Sequence, residues 1–234
     1  QEGVDLQYVV YDAASDDGSY EIINSFTDPR ITVVRRTDDG PAEGLNHAFD
    51  LANGDIFGYL NADDQLVPGA LAWVERFFEA NPEVSVIHGG GQIVDGDGRM
   101  IRVVFPRMFT AWLGAMAVTS TFQPSTFFRM GSLPRPPFNA ANQVSWDHEL
   151  MISMSLSGAK IRRVPICLSK FRLHESSITG SQRRSDLAIL ERARMQTNVL
   201  GRSPGRRDRI LAGTARVFLG LESRVRRMAK IKED

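Results

Sequence analysis

Three times within the first 80 residues, a short apolar or β-branched run ends in an acidic, turn-rich loop and then gives way to a helical pattern. Leu6-Gln-Tyr-Val-Val-Tyr11 runs into Asp12-Ala-Ala-Ser-Asp-Asp-Gly18. Ile31-Thr-Val-Val34 runs into Thr37-Asp-Asp-Gly-Pro41, and Ile56-Phe-Gly-Tyr-Leu60 into Asn61-Ala-Asp-Asp64. Runs of this composition bounded by Gly, Pro and Asp predict strands and turns. The helices between them are predicted over 19–25, 42–52 and 68–80. Leu45, Ala48, Phe49 and Ala52 share one face of the second, and Leu71, Val74, Phe77 and Phe78 one face of the third. Asn53-Gly54 stops the second helix and Pro68 opens the third. Strands alternating with helices constrain the chain to an α/β sandwich with a largely parallel sheet. Ligands of such sheets bind beyond the carboxyl ends of the strands, so the loops at Asp12, Asp38 and Asp63 are predicted to meet at one edge.

Further along, 84–88 and 91–95 predict two strands, with Asp95-Gly96-Asp97-Gly98 as a hairpin turn. Residues 105–145, rich in proline and aromatics, read as a substrate-side loop region. A helix over 145–157 and strands over 161–166 and 168–173 follow. From Ser181 two Arg-rich amphipathic helices are predicted, broken around Gly201-Arg-Ser-Pro-Gly205. The formal net charge is zero, but it divides unevenly. Residues 181–234 carry 14 Lys+Arg against 6 Asp+Glu, a net of +8, so residues 1–180 hold 14 basic and 22 acidic groups, a net of −8. An acidic body with a basic tail implies two surfaces with different partners. The single cysteine, Cys167, excludes an internal disulfide and reads as a free buried thiol in a reducing compartment. No stretch has the ~20 apolar residues of a membrane span.

Asp63 and Asp64 are the most informative pair. Adjacent carboxylates at the mouth of an apolar strand repel, and are costly to place unless a cation neutralises them. Hard oxygen ligands suit Mg2+ or Mn2+, which bind substrate phosphates. The competing reading is a solvated turn that caps the following helix.

The stretch from Tyr8 to Leu71 resembles family 2 of the glycosyltransferases, which have the GT-A fold. Tyr8-Val-Val-Tyr-Asp-Ala-Ala-Ser-Asp-Asp-Gly-Ser19 is similar to its strand and "V-D-G-G-S-T-D-G-T" loop, and Asp38-Asp-Gly-Pro-Ala-Glu-Gly-Leu-Asn46 to its "D-x-G-x-x-x-A-x-N" segment. Asn53-Gly-Asp-Ile-Phe-Gly-Tyr-Leu-Asn-Ala-Asp-Asp64 with Pro68-Gly-Ala-Leu71 is similar to "G-D-x-x-x-x-L-N-x-D-D…P-G-A-L". Gln123-Pro-Ser-Thr-Phe-Phe-Arg129, Trp146-Asp-His-Glu-Leu150 and Phe171-Arg-Leu-His174-Glu-Ser-Ser-Ile-Thr179 resemble later segments in the same order. The resemblance implies a GT-A-type, Rossmann-like sandwich over 1–180, with a mostly parallel central sheet and a basic helical extension over 181–234. The family's opening strand, loop and helix precede the point where Gln1 stands, so the transferase part is expected to be N-terminally incomplete.

The implied activity is inverting transfer of a sugar from a nucleoside-diphosphate sugar, by default a UDP-sugar, to a hydroxyl of a glycan, polysaccharide or lipid-linked acceptor. Asp12, Asp38, Asn46 and Asp63 would bind the nucleotide-sugar, with Arg172 on its phosphates. Asp64, Asp63 and His174 would hold Mn2+ or Mg2+. Gln123, Ser125 and Thr126 would line the acceptor side. Asp147 would deprotonate the acceptor hydroxyl, with Glu149 as its fallback. The alternative is a non-catalytic relative that binds a sugar nucleotide or a partner protein, and Trp146, where the family often has an acid, motivates it. A nucleotidyltransferase is a weaker third reading, for want of a Gly-rich phosphate loop with basic residues near the first strand.

In the tail, Leu211, Ala215, Phe218, Glu222 and Val225 recur at helical spacing among arginines. Such a helix suits peripheral contact with an anionic membrane, its alternatives being packing on the domain or a dimer contact. Nucleic-acid binding is not expected, since no binding module or interleaved aromatics accompany the basic residues. These readings together predict a cytoplasmic protein, peripheral at the inner face of the membrane.

Overall fold

The structure, a computed structural model, describes residues 1–173 and 182–230, with side chains over 1–173 and 186–220. Strands β1 (Tyr8–Asp12) and β2 (Ile31–Arg35) pair in parallel across the short helix α1 (Ser19–Asn24). Helix α2 (Pro41–Leu51) starts on a proline at its first turn, where a missing N–H costs nothing. It leads to β3 (Ile56–Gly58), β4 (Gln65–Leu66) and α3 (Ala70–Ala80). A hairpin follows, β5 (Val86–Val94) to β6 (Met100–Val104), turning where Gly98 takes φ 83°. Then come α4 (Ala111–Ala115), β7 (Thr126–Arg129), α5 (Trp146–Leu156) and β8 (Ile161–Arg172). Helices α6 (Gln182–Leu200) and α7 (Arg206–Lys230) complete the described chain.

The main sheet has the order β3-β7-β5-β8-β4, with β6 added to β5. The α/β expectation holds, but this sheet is mixed rather than mostly parallel. Only β5 and β8 run parallel in it, while β3/β7, β5/β7, β4/β8 and β5/β6 are antiparallel. Strand β7 accounts for two of these pairs, and the edge strands β4 and β6 for the other two. Strand β7 lies inside the stretch read as a substrate-side loop, and it inserts antiparallel between β3 and β5. Alternating side chains encode a strand, not the direction of the neighbour it will find.

The two strands predicted over 84–95 are one strand, and so are the two predicted over 161–173. The glycines at 89–91 bend β5 instead of ending it, and the register with β8 shifts between His88 and Gly90 and again between Gly90 and Gly91. Close approach is why glycine stands there. A Cβ on Gly90 would lie 2.5 Å from the Val104 carbonyl, and one on Gly91 would lie 2.6 Å from the Ser169 carbonyl and against the Phe122 ring.

The core lies on both faces of this sheet. On one, Ala70, Val74 and Phe78 of α3 pack on Val84, Ile87 and Leu168. On the other, Phe49 of α2 meets Phe57 edge-on at 5.0 Å beside Phe128, Leu150 and Met154. Each of the larger of these side chains contributes about 1.5–3 kcal/mol through removal from water. The C-terminal helices join this body directly. Met195 of α6 enters the second core group, and Ala212 and Leu219 of α7 cover Leu113, Met116 and Val118. The inward stripe of α7 is therefore Asp208, Ala212, Ala215 and Leu219, while Leu211 and Phe218 are exposed. Cys167 is half-buried rather than buried. No helix among the described residues is long and apolar enough to cross a membrane.

Gly91→Ala is expected to cost about 3 kcal/mol, the upper end for overpacking, because one of its neighbours is backbone that cannot rotate away. Urea denaturation checks this, with Gly96→Ala, whose Cβ meets nothing within 4 Å, as the neutral control.

Candidate active site

The acidic loop after β3 is a tight turn, closed by the Asp64 N–H donating to the Asn61 carbonyl at 3.1 Å. It carries Asp64 inward until only 6% of the residue is exposed. Asp64 Oδ1 accepts the backbone N–H of Arg172 at 3.0 Å, from the last residue of β8. Asp64 Oδ2 is buried and has no hydrogen-bond partner. Burial chiefly, with the charge of Asp63 adding to it, pushes the Asp64 carboxyl up to about 6 against the opposing pull of the Arg172 N–H. A buried carboxylate oxygen without a partner is costly to keep ionised and is well suited to a cation. Asp63, half-buried beside it, is the second oxygen donor available. No group of three His, Cys, Asp or Glu able to hold a metal occurs among the described residues. His174, the third ligand expected from the sequence, lies outside the described residues.

Arg172 does more than its backbone bond. Its guanidinium donates to the Asp63 carbonyl (3.3 Å) and, from the β5–β6 turn, to the carbonyls of Asp95 (3.4 Å) and Gly96 (2.6 Å). It is thus a clamp between two loops, made through Nε and Nη1.

Gln123 binds the other side of the loop. Its amide donates to the Tyr59 carbonyl at 2.7 Å, and its oxygen accepts from the Asn61 side chain at 3.5 Å. Tyr59 lies near Asp147, the second residue of α5: burial, then the charge of Asp147, raise the Tyr59 phenol well above its ordinary value. Asp147 itself is raised by burial, against a lowering by His148. Its carboxylate accepts no hydrogen bond from another side chain among the described residues, while the neighbouring His148 is tied by its ring to the Gly114 carbonyl at 3.0 Å. Asp63, Asp64, Asn61, Gln123, Tyr59 and Asp147 therefore form one connected group.

The Asp38 loop joins it through α2 and the segment before α5, while the Asp12 loop lies beyond the neighbouring β1. Asp12 is buried, receives the Ser15 N–H on both oxygens at 3.2 Å and faces Arg35 at 3.5 Å. Asp38 accepts the Gly40 N–H at 3.0 Å, and its other oxygen would lie 2.5 Å from a Cβ on Gly44, so the glycine of α2 lets the carboxylate sit close against the helix. The Gln143 side chain donates to the Asp39 carbonyl at 3.1 Å and thereby ties this loop to the segment before Asp147. Asn46 exchanges two hydrogen bonds with the Phe138 backbone, at 2.8 and 3.0 Å, and the Phe138 ring meets Tyr59 edge-on at 5.1 Å. Asn46 thus braces the site, and its expected contact with the nucleotide-sugar is not what its geometry supports.

Two further expectations are corrected. Ser125 and Thr126 do not line an acceptor surface. Ser125 is fully buried between the Gly90 carbonyl and Ser169 Oγ, and Thr126, also buried, donates to the Phe122 carbonyl. Ser125 ends the short turn before β7 and Thr126 begins that strand inside the sheet, so Gln123 is the member of the three that reaches the site. Glu149 is not a spare base either. Burial raises it, but Arg194 at 2.5 Å, Asn142 at 2.7 Å and Asn139 at 3.2 Å outweigh burial and hold the carboxyl below its ordinary range. Gln143, Tyr59 and the Arg194 clamp carry no local sequence signal, since each acts across a long stretch of chain.

A model of the family described as "Glycosyl transferase family 2" matches residues 1–133. The chain belongs to glycosyltransferase family 2. It is 28% identical over 100 residues to a chondroitin synthase of Pasteurella multocida, a match that covers 42% of this chain and 10% of that protein. The mannosyltransferase PcManGT of Pyrobaculum calidifontis, solved in complex with GDP-Man and Mn2+, is similar in structure. Its TM-score is 0.59 at 17% identity, over 90% of this chain and 59% of that one. The S. aureus TarS structure in complex with UDP-GlcNAc gives a TM-score of 0.57 at 15% identity, over 81% of this chain and 57% of that one. At these identities the likeness is one of fold, and the fold is GT-A-type. The chain spans about a tenth of the length of the first curated relatives it matches.

Glu149→Gln is expected to destabilise the protein by about 2 kcal/mol at pH 7, the worth of charge-assisted hydrogen bonds. Glu149 titrates lower when folded than its reference of 4.5, so its contribution is complete above that value and is lost as pH falls through the folded pKa. Denaturation midpoints of wild type and variant should converge in acid, and a constant difference across pH would refute the clamp.

Proposed function

We propose that this chain acts as an inverting glycosyltransferase. It would move a sugar from a nucleoside-diphosphate sugar, by default a UDP-sugar, to a hydroxyl of a glycan, polysaccharide or lipid-linked acceptor. The observation that carries the reading is Asp64 Oδ2, a buried carboxylate oxygen without a partner, beside Asp63 and at the end of a strand. That arrangement supports Asp64 and Asp63 as the residues that would hold Mn2+ or Mg2+. When bound, the cation would neutralise charge on the diphosphate leaving group. GDP-Man with Mn2+ in the mannosyltransferase and UDP-GlcNAc in TarS support the donor class.

Asp12 and Asp38, on the two loops beyond β1 and β2, suit hydrogen bonding to base and ribose, since carboxylates accept such bonds strongly. Asp147 is the base. Burial has already made it more ready to hold a proton, and its carboxylate is not committed to another side chain. In the step itself, the acceptor hydroxyl gives its proton to Asp147 as its oxygen bonds to the anomeric carbon. The bond from that carbon to the phosphate oxygen breaks on the opposite face, and the nucleoside diphosphate departs with inversion. Gln123 shapes the acceptor side through its hold on Tyr59 and Asn61. The division into a transferase part and a helical extension near residue 180 belongs to this reading. So does peripheral contact with the cytoplasmic face of a membrane, which the exposed Ile210, Leu211, Val217 and Phe218 of α7 support.

Calorimetric titration of UDP with Mn2+, and again with chelator, tests the reading. Binding should require the metal and be lost in Asp64→Asn. Metal-independent binding, or unaltered binding in the variant, would sink it. Asp147→Asn should keep donor binding while kcat falls by about 10²–10⁴, the usual worth of general-base catalysis. A variant that transfers sugar at the wild-type rate would remove Asp147 from the mechanism.

A further inference from the structure

Among the described side chains from α6 to α7, some arginines are paired with carboxylates and others are not. Arg194 and Arg202 are neutralised, the first by Glu149 and Glu191 and the second by Asp208 at 2.7 Å. Arg192, Arg209 and Arg216 have no acidic partner among the described residues, although all three line the same cleft. That cleft has a volume of about 340 Å³ and lies where α6 and α7 meet the turn after α4, with Gln196, Met116 and Ala212 completing its wall. Its size falls within the ~300–1,000 Å³ usual for small-molecule sites.

The cleft is built rather than incidental. Arg216 is aimed by two backbone acceptors, the Met116 carbonyl at 2.9 Å and the Ala117 carbonyl at 3.4 Å. Ala117 holds the left-handed φ of 51°, uncommon for a residue with a side chain, and this turns the loop toward the arginine. Arg209 reaches back to the Pro204 carbonyl at 3.5 Å. The floor is set by burial of Ala212 and Leu219 of α7 against Leu113 and Met116, and Leu200 at the end of α6 packs against the same group, so packing holds both helices to this wall. Three guanidiniums without a counter-charge repel one another, and a polyanion between them removes that cost. Guanidinium forks bind phosphate oxygens bidentately, and three positive charges match a diphosphate better than a single carboxylate.

We propose that this cleft is a binding site for a phosphate or diphosphate group, separate from the Asp63–Asp64 site and independent of the transfer chemistry. The group belongs either to a soluble phosphorylated compound or to an anionic lipid headgroup.

The test titrates inorganic pyrophosphate into the full chain at constant ionic strength in excess EDTA, which silences any metal-dependent donor site. Saturable 1:1 binding is expected, weakened at least tenfold in Arg192→Ala/Arg209→Ala. Neither residue is placed in the transfer site, and far-UV circular dichroism checks that the double variant is folded. A charge-preserving Arg192→Lys/Arg209→Lys variant should recover part of the affinity. Co-sedimentation with phosphatidylglycerol vesicles, against phosphatidylcholine, separates the two sources. Vesicle binding displaced by pyrophosphate assigns the cleft to a lipid headgroup, and pyrophosphate binding without vesicle binding assigns it to a soluble compound. No saturable binding of pyrophosphate, or equal affinity in the folded double-alanine variant, overturns the proposal.

Discussion

The last residue of β8 holds the site together. Arg172 places its backbone N–H on Asp64 and its guanidinium on the carbonyls of Asp63, Asp95 and Gly96. Three segments remote in sequence are thereby fixed to one another at the carboxyl ends of β5 and β8. The arrangement depends on β8 reaching this point in register, which depends on its long parallel pairing with β5 and on the glycines that let β5 bulge without colliding with its neighbours. Because Arg172 satisfies only one of the two Asp64 oxygens, the same clamp that positions the carboxylate leaves half of it bare. The cost of that bare oxygen makes the loop a place for a cation rather than an ordinary turn.

The first turn of α5 shows how environment separates two similar groups. Asp147 and Glu149 stand two residues apart and both are partly withdrawn from water. Asp147 faces the Tyr59 side with no side chain donating to its carboxylate, and burial raises it. Glu149 faces α6, where Arg194 and two asparagines donate to it, and it is lowered despite burial. One acid is left free to take a proton while the other fastens the C-terminal helices to the body. Through Arg194 and Met195, α6 is continuous with the core that carries the site.

Much of the fold was legible because its signals are local. Apolar runs ending in acidic loops gave β1, β2 and β3, and the spacing of Val74 and Phe78 gave the buried face of α3. The acidic pair at 63–64 stood out because two adjacent carboxylates at a strand end need an explanation that one does not. The misreadings share a cause. Gln123 to Arg129 carries small polar residues that suit either a binding loop or a buried strand, and only the neighbours of Ser125 decide which. In α7 the spacing of Leu211 and Phe218 suits either a membrane face or packing on the domain, and only the structure shows that Ala212 and Leu219 are the ones turned inward. Periodicity identifies a stripe, and small residues such as Ala212 offer the closer contact that decides which stripe is buried.

By itself, the sequence determined the α/β alternation, the family and the three acidic loops, since turn chemistry and hydrophobic period act over a few residues. Tertiary structure alone decided which carboxylates remain available. Asp64 is half-satisfied because β8 ends against it, Asp147 is held only by backbone N–H groups of its own helix turn and by no other side chain among the described residues, and Glu149 is consumed because Arg194 reaches it. Ionisation and hydrogen-bond satisfaction depend on solvent exclusion and on partners brought from distant parts of the chain, and neither is present until the sheet has closed.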